Sequence, residues 1–108
     1  MTEPFETQLR TRGAGVDLSD GAGDAFVIRA QVLEAWDAVR VRVRPRTTIA
    51  AVKQAALEAL LADAADASGY MAKVRGHEVR DETLALAEAD VRPGTTVLVH
   101  ARRRRPVR

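Results

Sequence analysis

The chain has 108 residues, 46% of them apolar, which is room for one small domain and one core. It has no cysteine, which excludes disulfides, thiolate zinc sites and cysteine nucleophiles, and a net charge of +2 that hides a very uneven distribution. No apolar run approaches the roughly 18 residues of a membrane span, and the start of the chain lacks the pattern of a signal peptide, so a cytoplasmic protein is expected. Fifteen arginines against two lysines, with many alanines and glycines, suit a high-GC bacterial genome.

Residues 1–24 hold Gly13, Gly15, Gly21 and Gly23 among five acids (Glu3, Glu6, Asp17, Asp20, Asp24) and two arginines (Arg10, Arg12). With few large apolar groups to offset the entropy of ordering them, they read as a flexible acidic leader. The two Gly-Ala-Gly triplets resemble fragments of a dinucleotide loop, but no strand precedes them and no helix follows, so they read as linker.

From Ala25 the pattern alternates. Phe26, Ile28, Ala30 and Val32 fall on one face of a strand and Val27, Arg29 and Gln31 on the other. Glu34 to Ala38 turn the chain into a second strand, in which Val39, Val41 and Val43 alternate with Arg40, Arg42 and Arg44, so the two form an antiparallel hairpin. Pro45 ends that strand because it has no N–H to give a ladder. Thr48 stands at an N-cap ahead of Ile49, Val52, Ala56 and Leu60, which share one helical face. This helix is expected to run to about Leu61 or slightly beyond, with Ser68-Gly69 as its stop.

A third strand follows with Ala72 and Val74 inward and Met71, Lys73 and Arg75 outward, then a tight turn at Gly76 and a brief fourth strand at Val79. Leu84, Leu86 and Val91 anchor a compact crossing, Pro93-Gly94 makes a turn, and a last strand puts Val97 and Val99 inward and Leu98 and His100 outward. The sum is an α+β domain over residues 25–101, a four- to five-stranded mixed sheet with one main helix on one face and the other face open. Residues 102–108 form a basic tail with five arginines and no acid.

This order and spacing resemble the ubiquitin-like β-grasp family. The likeness is carried by Val43-Arg44-Pro45, Thr48-Ile49 and Val52-Lys53 at the strand-to-helix passage, and by Val74-Arg75-Gly76, Val79, Asp81, Thr83-Leu84, Val91 and Thr96-Val97 through Arg102. It spans about residues 25–103. The resemblance implies a small interaction module, an adaptor or accessory subunit, and not an enzyme. Ubiquitin-like modifiers are conjugated through a C-terminal glycine pair; here Arg105 and Pro106 fall at those places and no glycine follows Gly94. A conjugated modifier of unusual C-terminus is therefore the alternative, not the main reading. The family's apolar recognition patch is also replaced, with Lys73 and His100 at two of its positions and Ala35 or Trp36 at the third.

The alternation puts Arg29, Arg40, Arg42, Lys73, Arg75, His100 and Arg102 together on the open face, with Arg44 at the margin and Glu34, Asp37 and Glu78 as partial offsets. The face reads either as a solvated sheet face with its cations partly offset or as a docking surface for an acidic protein or for phosphates, since clustered arginines favour bidentate contacts with carboxylate or phosphate; the partner expected is an acidic protein. A second partner class is nucleic acid, reached through the tail residues Arg102, Arg103, Arg104 and Arg105; four aromatic residues in the whole chain leave little for base stacking. Trp36 in the hairpin turn either folds back over the strand edge, which is the simpler reading, or is presented as a contact. The chain is read as a monomer or as part of a larger complex. His77 and His100 lie on separate segments without metal-ligand spacing, and no nucleophile, base and orienting group assemble, so no catalytic residue, metal or cofactor is expected.

Overall fold

The computed structural model of the chain describes residues 15–61 and 67–102. Its strands are β1 (Val16–Asp17), β2 (Phe26–Val32), β3 (Asp37–Val43), β4 (Tyr70–Val74), β5 (His77–Glu78) and β6 (Thr96–Ala101), with one α-helix, α1 (Ile49–Leu60), between β3 and β4. They form a single mixed sheet in the order β1-β3-β2-β6-β4-β5. The hairpin β2–β3 and the pair β4–β6 are antiparallel, while β2 and β6, at the centre, run parallel.

The period of two becomes two faces. Ile28, Ala30, Val32, Val39, Val41, Val43, Ala72, Val74, Val97 and Val99 are all buried beneath α1, which contributes Ile49, Val52, Ala56 and Leu57 to the same core. The β-branched residues dominate the sheet side because their stiff side chains suit a pleated surface. The helix begins where Thr48 Oγ1 accepts a hydrogen bond from Ala51 N at 3.1 Å. Two further donors of its first turn are met by the crossing segment, Ile49 N by Leu84 O and Ala50 N by Glu82 O, at 3.0 and 2.9 Å. Leu86 and Val91 of that crossing are buried, closing the core at one end.

The strand count differs from the sequence reading. The sheet has six strands among the described residues, and the additional one comes from the segment read as leader. Val16 and Asp17 lie parallel to β3 opposite Val41 and Arg42, and Leu18 N donates to Arg42 O at 2.8 Å. Gly15, read as linker, allows this: its φ is +117°, and a Cβ there would collide with the Arg40 carbonyl. The helix-to-sheet contacts include a buried cation. Lys53, on the buried side of α1, is only 3% exposed, with its ammonium donating to Tyr70 O at 2.9 Å and paired with Glu82 at 2.6 Å.

Candidate functional site: the open face of the sheet

The face turned away from α1 carries Arg29, Arg40 and Arg42 on the hairpin strands, Leu98 and His100 on β6, and Lys73 on β4. Register decides who meets whom. Arg29 stands opposite Arg40, and Val27 opposite Arg42, on alternate rungs of the β2–β3 ladder. Like charges placed directly opposite each other destabilise a ladder. No acid relieves the Arg29–Arg40 rung: among the described residues, Arg29, Arg40 and Arg42 make no side-chain hydrogen bond or ion pair. Asp17 on β1 stands in register with Arg42 and offsets its charge. Its carboxyl is held below the ordinary value because Ser19 donates to it through both side chain and backbone, with the Arg42 charge adding to the effect.

Two shallow depressions lie over these arginines. One of about 390 Å³ is lined by Arg29 and Arg40 together with Val27, Ala38 and Gly94 among others. The other, about 250 Å³, is bordered by Gly15, Val16, Asp17, Val27, Arg40 and Arg42. Val27 and Arg40 belong to both.

The remaining sites expected from the sequence are dispersed. Arg75 leaves the face: Arg75 and Gly76 both take positive φ in the turn, and the guanidinium donates to Asp90 O at 2.8 Å and approaches its carboxylate at 3.3 Å. Arg102 is also engaged, as a clamp on the end of β6. Its Nε donates to Ser68 O at 3.2 Å and its Nη1 to Glu78 at 3.1 Å. Lys73 and His100 do lie on the open face, half-buried, but Leu98 of β6 separates Lys73 from the arginines of the hairpin. Of the expected offsets, Glu34 accepts from Ala101 N and Asp37 from Ala38 N, so both are spent on backbone. Arg44 pairs with Asp24 at 3.5 Å. Arg103, Arg104 and Arg105 lie outside the described residues.

Trp36 corrects the simpler reading of its role. It does not fold back: it is 87% exposed, at φ 55° and ψ 37°, after a single 3₁₀ turn over Leu33–Ala35. The missed members of the site are Gly15, Asp17 and Gly94. Their signal was faint, because two residues cannot display a period and a turn glycine does not announce what it lies beside. Among the described residues no group of three His, Asp or Glu side chains could hold a metal, and no helix is long and apolar enough to cross a membrane.

No family model matches the chain, and no curated protein matches it in sequence. Solved structures do. The ubiquitin-like domain of an Arabidopsis thaliana protein is similar with a TM-score of 0.61 at 13% identity, over 84% of this chain and 92% of that one. A de novo designed protein based on ubiquitin gives 0.60 at 20% identity, covering 75% and 93%. Caldiarchaeum subterraneum ubiquitin gives 0.59 at 15% identity, covering 73% and 95%. The protein therefore has a ubiquitin-like β-grasp fold, α+β with one main helix on a mixed sheet. That fold leaves the function to its surfaces.

Proposed function

We propose that this chain is a non-enzymatic ubiquitin-like interaction module, an adaptor or small accessory subunit, that binds an acidic protein noncovalently through its basic sheet face. In this reading it works in the cytoplasm. The observation that carries the proposal is the Arg29–Arg40 rung with Arg42 beside it, cations held together on neighbouring strands without a hydrogen-bonded acid among the described residues. Such a placement costs fold stability and gains from an incoming anion. Arg75 and Arg102 support the contrast, since acids elsewhere in the fold already hold them.

The arginine-rich tail favours nucleic acid as the second reading. Affinity capture from native lysate with and without nuclease separates the two, using the full chain and one ending at Arg102. The adaptor reading expects a nuclease-resistant protein captured by both chains. Capture that disappears with nuclease, or with the tail, contradicts it.

A further inference from the structure

We propose that the basic face reads an extended acidic segment of its partner, with two carboxylates two residues apart in sequence; this rests on the reading that the partner is an acidic protein. The two depressions share Val27 and Arg40 and lie over adjacent same-face rungs, Arg29–Arg40 and Val27–Arg42. Same-face residues along a strand are about 6.6–6.8 Å apart, and an extended peptide presents alternate side chains at that same interval. A segment lying along these strands thus places one carboxylate between Arg29 and Arg40 and the next on the neighbouring same-face rung, against Arg42.

The lining suits such a ligand. Val27, 40% exposed, and the small residues Ala38 and Gly94 leave the arginines as the tallest groups, so an extended backbone can approach closely. Guanidinium forks take carboxylates bidentately, which favours a defined spacing over diffuse attraction. No aromatic ring stands among these residues: Phe26 belongs to the core side and Trp36 lies beyond the far end of β2. The patch therefore lacks the stacking platform that single-stranded nucleic acid needs.

Asp17 supplies a signature that a purely structural patch would not show. It borders the second depression beside Arg42 and opposes an incoming acid there. Removing its charge strengthens binding while keeping the oxygen that Ser19 uses.

The test is an NMR titration of the isotope-labelled full chain with synthetic peptides containing Asp-Ala-Asp, Asp-Asp or Asp-Ala-Ala-Asp in identical neutral flanks. Asp-Ala-Asp is expected to bind at least about threefold more tightly than the others, with shifts centred on Val27, Arg29, Arg40 and Arg42. Arg40→Gln, with its dispersed spectrum as proof of folding, lowers that affinity about tenfold. Asp17→Asn raises it about threefold. Equal affinity for all three peptides overturns the spacing inference and leaves the acidic-partner reading standing. If no acidic peptide binds, both are lost. Tighter binding of a twelve-nucleotide single strand at the same residues overturns the protein occupant, and shifts confined to the Trp36 and His100 end overturn the location.

Discussion

Trp36 holds a backbone conformation that suits glycine or asparagine, with φ at 55° and the indole 87% exposed. A bulky residue in the left-handed region costs roughly 1–2 kcal/mol, and an indole facing solvent recovers little of it. Trp36→Asn is therefore expected to leave stability unchanged or raise it by up to about 1 kcal/mol, measured by urea unfolding. A loss above that size would mean that the ring packs on the hairpin. Two carboxyls add a pH signature. Asp17 and Asp81 are both held below their ordinary value of 3.8, each chiefly by the side-chain hydroxyl two residues on, Ser19 and Thr83. A depressed carboxyl contributes stability that is complete above its unfolded value and lost as pH falls through its lower folded value. Melting temperatures should thus be level above about pH 5 and fall below about pH 4, less steeply in Asp17→Asn with Asp81→Asn. An identical slope in that double variant would remove these two groups as the cause. Residue type and alternation told that Arg29, Arg40 and Arg42 face outward, but not that Trp36 would project. That depends on a 3₁₀ turn forming ahead of it, which alternation does not encode.

At the scale of elements, β1 and α1 are each fixed by one residue with a specific demand. Gly15→Ala forces a Cβ into the Arg40 carbonyl at a positive φ, so β1 must separate from β3. A cost of about 1–2 kcal/mol in denaturant unfolding is expected, together with faster amide exchange at Leu18, whose N–H donates to Arg42. Unchanged exchange would show that β1 docks without the glycine. Lys53 joins α1 to the start of β4 and to the crossing through Tyr70 O and Glu82, and one Glu82 oxygen is buried with no hydrogen bond. Lys53→Met leaves a carboxylate in a mostly buried position and is expected to cost about 3 kcal/mol, most of it recovered by adding Glu82→Leu. No recovery would show that the ammonium's bond to Tyr70 O, not the ion pair, matters most. Long elements were legible because many residues repeat one period: Phe26–Val32, Asp37–Val43 and Ile49–Leu60 declare themselves. A two-residue parallel strand whose partner lies 25 positions away has no such signal.

At the scale of the molecule, the sheet separates an apolar face covered by α1 from an open face whose charge is concentrated at one place. Sequence alternation assigned the open-face arginines on β2 and β3 but overestimated the cluster. Whether a cation on a surface is free depends on acids distant in sequence, Asp90 for Arg75 and Glu78 for Arg102, and alternation carries no information about them. What remains is Arg29, Arg40 and Arg42, with Lys73 and His100 beyond Leu98. The most direct measurement is quantitative affinity capture, under nuclease, by the full chain and by its Arg29→Glu, Arg40→Glu, Arg42→Glu variant, both verified as folded by circular dichroism. The basic-face reading predicts a protein partner bearing an acidic segment that is captured by the wild-type chain and lost from the charge-reversed one. The same partner retained at equal yield by the reversed chain would contradict it.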